Sequence, residues 1–485
     1  MSLDPELSTT LDALAAARVL VVGDIMLDRF VYGTVERISP EGPVPVLRVE
    51  REEVSLGGAG NVLRSLRALG CGAAVAGVVG DDGAGRELRR LVAEAGASED
   101  FLVSLAERPT TIKERHVAGA RQLLRADRET GRPLPEKAAT ALREAARGAL
   151  ADFDALVLSD YGKGALSPDL LAALIEAART AGRPVVVDPR GRDYGVYRGA
   201  SVATPNRREL EAAAGLPAAD DAEVAAACRE LMERCGLGAV LATRSEKGMT
   251  LVASDGAVTH LPATAREVYD VTGAGDTVVA VLGAALAAGR PLAEAAQLAN
   301  AAAGLAVGKL GTAAVSRTEL QQALYAAPLL AAETKIVDLA SLEAQARRWR
   351  DRGLSIGFTN GCFDLLHPGH LSLLRQARGA CDRLVVALNS DASVRRLKGG
   401  PRPLQDEAAR AAVLAALGEV DRVVVFAGDT PIDLIRRLRP EVLVKGADYE
   451  IAQVVGADYV QGYGGRVLLA ELLPGYSTTE TVKRI

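Results

Sequence analysis

The 485-residue sequence predicts an α/β protein of two units, each a mainly parallel sheet covered on both faces by helices. Three observations carry this reading. Short apolar runs of strand length alternate with Ala- and Leu-rich stretches of helix length, the pattern of strands buried on both faces between crossover helices. The alternation halts after a helical stretch at 317–325 and a breaker at Ala326, Ala327 and Pro328, then restarts near Thr334. The chain is also too long for one ordinary core, so two domains are the economical division.

In order along the first unit, buried strands are expected at residues 19–22, 73–79, 156–158, 185–187 and 239–242, all dominated by Val, Leu and Ala. Between residues 38 and 53, Val44, Val46 and Val49 stand among prolines and charges, and residues 110–125 have the same half-buried texture. Both read as a small edge sheet. The second, smaller unit is expected to place strands at 355–359, 384–388, 423–426 and 442–444. The domains are therefore drawn at 1–328 and 353–485, with 329–352 as linker and leading helix.

Bulk composition excludes several function classes. A net charge of -5 and an isoelectric point near 5.7, without a basic run or aromatic-rich stripe, argue against a nucleic-acid binder. Any phosphate site must be local. Cys71, Cys228, Cys235, Cys362 and Cys381 show no C-x-x-C spacing, so neither a disulfide framework nor a zinc site is expected. No basic start with an apolar core and no membrane-length apolar run is present, and a cytoplasmic protein without a membrane partner is expected.

The first chemical constellation is Asp270-Val271-Thr272-Gly273-Ala274-Gly275-Asp276-Thr277, just ahead of the apolar stretch 278–286. Small residues let a ligand approach the backbone, and a helix start presents unpaired N–H groups, which together make a cradle for phosphate oxygens. A carboxylate at Asp276 would accept the proton of an attacking hydroxyl, a role worth roughly 10²- to 10⁴-fold in rate. The other reading is a Gly-rich cap with Asp276 stabilising the helix dipole.

The segment resembles the signature of the ribokinase-like sugar kinases, and other parts of that pattern follow in order over residues 15–325. Gly23-Asp24 ends the first strand and Gly57-Gly58-Ala59-Gly60-Asn61 opens a helix, as in that family's sugar pocket. Asn206-Arg207-Arg208-Glu209 resembles its N-x-x-E element near ATP and magnesium, and Thr243-Arg244-Ser245-Glu246-Lys247-Gly248 its nucleotide-phosphate loop. Asn300 and Gly304 match positions at the adenine pocket. The resemblance implies Asp276 as base, an anion hole at Gly273, Ala274 and Gly275, Mg2+ held indirectly by Glu209, and a place for a monovalent cation. It also makes the edge sheet a β lid that pairs two subunits into a homodimer. On the residues alone, Asp24 also reads as a carboxylate satisfied by turn amides, Asn61 as a helix cap, and Glu209 as an exposed helix charge.

The second constellation is Thr359-Asn360-Gly361-Cys362-Phe363-Asp364-Leu365-Leu366-His367-Pro368-Gly369-His370, between a strand and a helix. Two imidazoles at a helix start can donate to oxygens that gain charge on an α-phosphoryl and a departing pyrophosphate. A paired-His metal site would want i, i+4 spacing and a third ligand, and both are missing. Cys362 has no adjacent base and reads as packing. The segment resembles the H-x-G-H signature of the cytidylyltransferase-like nucleotidyltransferases, a Rossmann-like fold, over residues 353–485. That resemblance implies nucleotide and phosphate contacts from Thr359, Asn360, Gly361, Phe363, Lys398, Lys445 and Asp448, and from Ser477, Thr478 and Thr479, where two usual serines are threonines. Lys398 and Lys445 equally suit a solvated surface.

Both halves together, with stretches 22–29, 37–41, 158–164 and 268–277, resemble the bifunctional heptose-phosphate kinase and adenylyltransferase family of bacterial lipopolysaccharide synthesis. This implies phosphorylation of D-glycero-β-D-manno-heptose 7-phosphate at O1 by ATP, then transfer of AMP to heptose 1-phosphate, giving ADP-heptose. It places Asp24, Asp28, Gly57, Gly58 and Asn61 at the sugar and offers Arg115, Lys163 and Arg190 to the 7-phosphate. No D-x-D-x-T-type phosphatase pattern appears, so a separate heptose bisphosphate phosphatase is expected between the steps. The alternative is another sugar kinase fused to a cytidylyltransferase for a small alcohol phosphate.

Overall fold

The strand Arg18–Gly23 organises the first unit of the computed structural model, which describes residues 5–119, 121–264, 270–309, 313–399, 402–447 and 449–471. Its run of Val and Leu is buried on both faces, so it sits inside a nine-stranded sheet. Across that sheet the strands run Val258–Leu261, Met249–Ala253, Ala239–Thr243, Val202–Ala203, Val185–Asp188, Ala155–Ser159, Arg18–Gly23, Gly72–Gly80 and Leu102–Leu105. The first two pairings are antiparallel and the others parallel. The chain leaves Arg18–Gly23 toward Gly72–Gly80 on one side and later returns as Ala155–Ser159 on the other. A crevice opens at such a reversal, beyond the carboxyl ends of the two strands.

Asp24 alone separates Arg18–Gly23 from the long strand Ile25–Ile38, which leaves the main sheet for a second one. Ile25–Ile38 pairs antiparallel with Pro45–Gly58 and parallel with Ile112–Ala118, which pairs antiparallel with Arg121–Arg128. This is the expected edge sheet, larger than expected by Ile25–Ile38. Two glycines fit it onto the main sheet. A Cβ at Gly57 would lie 2.5 Å from Asp28 Oδ2, and Gly58, with φ 56, would put one 2.4 Å from the Asp24 carbonyl.

Helix Ala274–Ala287 lies on the main sheet and can do so closely because its sequence is small and apolar. At Gly283 an added Cβ would be 2.9 Å from Val157 Cγ2. The helix therefore carries its N-terminus to the crevice at a height fixed by that contact. The opposite face of the sheet buries Leu20, Val22, Leu156 and Leu158 against Leu142, Leu170 and Leu174.

The compact units divide at Ala323 and Leu324. The break expected at Pro328 does not occur, because helix Arg317–Glu333 runs through it. A proline removes one helical hydrogen bond, and the neighbouring Ala, Leu and Gln are strong helix formers that tolerate the loss.

The second unit is a five-stranded parallel sheet in the order Arg422–Phe426, Arg383–Asn389, Ile356–Gly361, Val442–Gly446, Arg466–Ala470. Leu342, Ala346 and Trp349 of helix Leu339–Asp351 cover one face beside Phe358 and Val385, and Leu374, Leu384 and Leu414 fill the other. Its topology reverses between Ile356–Gly361 and Val442–Gly446, giving a second crevice. Among the described residues no helix is long and apolar enough to cross a membrane.

Gly283→Val should lower the unfolding free energy of the first unit by about 1–3 kcal/mol, the usual cost of overpacking. Urea titration reads this as a lower midpoint, and an unchanged midpoint contradicts the close helix–sheet contact.

Candidate active sites

In the first crevice, Asp276 occupies the opening turn of helix Ala274–Ala287, behind Gly273, whose φ of 80 is the left-handed conformation glycine adopts readily. Gly275 is exposed, and a Cβ there would meet nothing within 4 Å, so this turn faces open space. The Asp276 carboxylate is buried, yet both oxygens have donors. Asn61 Nδ2 donates to Oδ2 at 2.6 Å and the Tyr161 hydroxyl to Oδ1 at 2.7 Å. Arg64 Nη2 donates in turn to Asn61 Oδ1 at 2.6 Å, which fixes the amide with its NH2 toward Asp276. Burial pushes the Asp276 carboxyl above its ordinary range, the Asn61 and Tyr161 hydrogen bonds pull it back, Asp28 adds to the rise and Arg64 opposes it.

Asp24 accepts from the backbone of the loop after Ala155–Ser159. Its Oδ2 accepts from the amides of Tyr161 and Lys163, both at 2.9 Å, and its Oδ1 from the amide of Ala165 at 3.1 Å. This is the turn-amide reading, and it makes Asp24 the anchor of the loop that carries Tyr161. Asp28 pairs with Arg115 at 2.7 Å, which leaves Arg115 committed to a carboxylate. Lys163 pairs with Glu129 at 2.7 Å. Arg190 reaches Glu209 at 3.7 Å, on the wall of the cleft that also holds Asp188 and Asp276.

That cleft gathers Asp160, Asp188, Glu209 and Asp276 with Gly273, Gly275 and Thr243. Asn206 and Glu209 form a capping box on helix Arg207–Ala214, with the Asn206 side chain accepting from the Glu209 amide at 3.0 Å and Glu209 Oε2 from the Asn206 amide at 2.9 Å. Glu209 Oε1 faces Arg190. Arg207 and Arg208 are exposed on the first turn. Burial, then the charges of Asp276, Glu209 and Asp160, drives the Asp188 carboxyl well above its usual range, with Arg190 in opposition.

Several carboxylates gathered around an open space suit a divalent cation. Among the described residues no three of His, Cys, Asp and Glu are grouped to hold a metal ion by themselves.

In the adjoining loop, Ser245 has φ 52, and Gly248, with φ 81, leaves no room for a Cβ, which would lie 2.0 Å from the Leu261 carbonyl. Asn300 is buried and donates to the Pro262 carbonyl at 2.8 Å, so it fixes that segment, with Gly304 a turn further on the same helix.

In the second crevice, His367 caps helix Pro368–Gly379, and its ring stacks on that of His370 with centroids 3.8 Å apart and planes 24° apart. Phe363, buried with φ 45, flanks His370 at 5.1 Å. Burial and the neighbouring His367 push His370 down to about 4, and burial lowers His367 as well. Both rings are therefore neutral near pH 7 and offer an N–H rather than a charge. Lys445 Nζ donates to the Asn360 carbonyl at 3.0 Å across the topological reversal. Asn360 Oδ1 is buried without a hydrogen-bond partner among the described residues, and Thr359 is buried behind it. Lys398 ends helix Asp391–Lys398, exposed. Asp448, Ser477, Thr478 and Thr479 lie outside the described residues.

Sequence reasoning missed the residues that hold these groups in place. Tyr161 and Arg64 reach Asp276 only through the fold. Arg410, fully buried, donates to the Cys362 and Gln405 carbonyls and pairs with Asp391 at 2.6 Å, and Asp364 is held by Arg402 at 2.7 Å and by the Leu404 and Gln405 amides. No local pattern announces such contacts.

Residues 16–319 match the pfkB family of carbohydrate kinases, and residues 358–484 match the cytidylyltransferase-like family. The bifunctional protein HldE of Rhodospirillum rubrum is 57% identical over 481 residues, covering 99% of this chain and 97% of that protein. Its counterpart in Paramagnetospirillum magneticum is 56% identical over 474 residues, covering 98% and 97%. Among solved structures, Arabidopsis thaliana ribokinase complexed with ribose and ATP has a TM-score of 0.52 at 20% identity, covering 64% of this chain and 99% of its own. Escherichia coli phosphofructokinase-2 in complex with potassium has a TM-score of 0.54 at 22% identity, with the same coverage. At such identities the likeness is one of fold.

The half-buried His370 imidazole has a consequence for stability. His370 titrates at about 4 when folded against an ordinary 6.5, so the unfolded chain binds more protons between those values and stability falls as pH drops from about 6.5 to about 4. His370→Gln should flatten that slope, read by urea titration of the second unit at pH 7 and pH 5. An identical slope in the variant contradicts a neutral buried ring.

Proposed function

The chain belongs to the bifunctional HldE family, a pfkB carbohydrate kinase joined to a cytidylyltransferase-like nucleotidyltransferase, and on that premise we propose that it makes ADP-heptose in two separated steps. The kinase half phosphorylates D-glycero-β-D-manno-heptose 7-phosphate at O1 with ATP. The other half transfers AMP from ATP to heptose 1-phosphate and releases pyrophosphate. The observation that carries this reading is the pair of crevices in one chain, one holding a buried carboxylate at a helix start and the other two neutral stacked imidazoles at a helix start.

In the kinase, Asp276 takes the O1 proton as O1 attacks the γ-phosphorus in line and the bond from that phosphorus to the β–γ bridging oxygen breaks, releasing ADP, with Asn61 and Tyr161 aiming the carboxylate. The amides of Gly273, Ala274 and Gly275 donate to the oxygens of the transferring group. Kinases and nucleotidyltransferases that use ATP generally need a divalent metal ion. Here Glu209 and Asp188 would hold Mg2+ through its waters, where it neutralises phosphate charge. A monovalent cation near the anion hole belongs to the same reading.

In the transferase, an oxygen of the sugar phosphate attacks the α-phosphorus and the bond to the β-phosphate oxygen breaks. The nucleophile is already an anion and needs no base. His367 and His370 donate N–H bonds to the α-phosphoryl and pyrophosphate oxygens as charge grows, and Lys398 and Lys445 add positive charge.

Three further parts belong to this proposal. A separate phosphatase removes the 7-phosphate between the steps. The kinase and transferase domains are taken as residues 1–328 and 353–485 with 329–352 between them, the first boundary lying inside helix Arg317–Glu333 a few residues after the division of the compact units at Ala323 and Leu324. Val35, Ile38, Val44, Val49, Leu123 and Leu124 are exposed on or beside the lid strands, an apolar surface that pairing two lids into a homodimer would cover.

Asp276→Asn should lose phosphorylation of heptose 7-phosphate by at least about 10²-fold and keep ADP-heptose formation from supplied heptose 1-phosphate. His370→Ala should do the reverse. Mass spectrometry of products from heptose 7-phosphate and ATP should find the bisphosphate alone, and ADP-heptose only when a phosphatase is added. Loss of both activities in either folded variant overturns the two-site reading, and ADP-heptose without phosphatase overturns the interruption.

A further inference from the structure

The lid strands Ile25–Ile38, Ile112–Ala118 and Arg121–Arg128 bring Asp28, Lys113 and Asp127 side by side, since Lys113 is in register with Asp28 on one side and Asp127 on the other. Register partners share a face of a sheet, and two residues along each strand Arg115 and Arg125 join them. Lys163 approaches from the loop after Ala155–Ser159, which Asp24 anchors.

The ion pairs in this group are uneven. Asp28 is taken by Arg115 at 2.7 Å, Asp127 by Arg125 at 2.9 Å and Glu129 by Lys163 at 2.7 Å. Four cations, Lys113, Arg115, Arg125 and Lys163, thus face three carboxylates, a net charge of +1. Lys113 is the one without a carboxylate among the described residues. Its ammonium sits 5.3 Å from the centroid of the Tyr161 ring, half-buried and beside the like charge of Lys163. Burial lowers its pKa first of all, Lys163 and Arg125 lower it further, and Asp28 and Asp127 oppose this. A partly desolvated lysine beside another lysine gains from any further anion brought against both.

The other lysine is held in place through its backbone. The Lys163 amide donates to Asp24, and its carbonyl accepts from Arg108, whose guanidinium also donates to the Thr130 and Arg132 carbonyls. Gly164, with φ 84, lets the loop pass where a Cβ would lie 2.3 Å from the Arg132 carbonyl. Both peptide groups of Lys163 are fixed before any substrate arrives.

Tyr161 joins this cationic corner to the chemistry, since its hydroxyl donates to Asp276 while its ring lies under Lys113. We propose that Lys113 and Lys163 form a clamp for the distal phosphate of the sugar substrate, with Lys113 selecting phosphorylated over free sugar. The clamp rests on the sugar-phosphate kinase reading and assigns the 7-phosphate to Lys113, which has no carboxylate at ion-pair distance among the described residues, with Lys163 beside it exchanging Glu129 for the phosphate.

The test compares Lys113→Met, Lys113→Arg and wild type in the full-length protein, using heptose 7-phosphate and unphosphorylated heptose as sugars. Loss of one charge-assisted bond to phosphate should reduce the preference for the phosphorylated sugar, as a ratio of kcat/KM, by about ten- to a hundredfold. The change should lie in the sugar KM, with the KM for ATP held, and Lys113→Arg should recover part of it. Lys163→Met should act in the same direction. Equal losses on both sugars, or an unchanged ratio, overturn the clamp. Failure of wild type to phosphorylate heptose 7-phosphate would count against the proposed substrate instead. The clamp is then decided by thermal shifts with inorganic phosphate, where stabilisation of wild type but not Lys113→Met supports it and equal shifts overturn it.

Discussion

A carboxylate buried at a helix start, held by neutral donors rather than by a direct ion pair, is the constraint on which the first unit rests. Asp276 must be dry enough to be basic and yet ionised, and those demands oppose each other. Burial by itself raises its pKa and favours the protonated form. An arginine in direct contact would hold it ionised but weaken it as a base. The structure places Arg64 one residue removed, acting through the Asn61 amide, with the Tyr161 hydroxyl on the other oxygen. Much of the surrounding architecture sets these distances: the Gly283 contact fixes the helix, Gly57 and Gly58 fit the lid strand behind Asn61, and Asp24 ties down the Tyr161 loop.

The second unit solves a different problem with the same topology. Its crevice also lies where the strand order reverses, but its chemistry needs no base, because the attacking group carries its own charge. Here burial serves to keep two imidazoles neutral and stacked so that each presents a hydrogen to phosphate oxygens. The buried guanidinium of Arg410 and the Asp364–Arg402 pair hold the loop that delivers them. Removing one member of such a buried pair typically costs 3–5 kcal/mol, so these residues act on catalysis through the shape of the loop. Since the proposed product of the first reaction must lose a phosphate before it suits the second, nothing in this chemistry demands that the two crevices face each other.

What the sequence discloses follows from how local each signal is. Gly273 to Asp276 and His367 to His370 each combine small or helix-opening residues with reactive groups inside one turn, and both are legible without a fold. The buried strands are legible for the same reason, as unbroken apolar runs. Ile25–Ile38 is not, because charges and a glycine interrupt its pattern as it leaves the core for the lid. Asn206 and Glu209 satisfy a capping box and line the cleft at once, so the spacing alone could not choose between the two readings. Arg64, Tyr161 and Lys113 carried no signal, since what matters about them is a partner far away in the chain. Arg115, Lys163 and Arg190 were chosen for charge alone, and what the sequence does not disclose is that each lies beside a carboxylate, Asp28, Glu129 and Glu209.

The most direct measure of the account is the pH dependence of kcat/KM for sugar phosphorylation in Tyr161→Phe against wild type. The acid limb of that profile reports ionisation of the base in the free enzyme. Tyr161 holds the Asp276 carboxyl down against burial, so its removal should move the acid limb to higher pH while the basic limb stays in place. An acid limb that does not move, with activity otherwise measurable, would contradict Asp276 as a base kept ionised by its neutral donors.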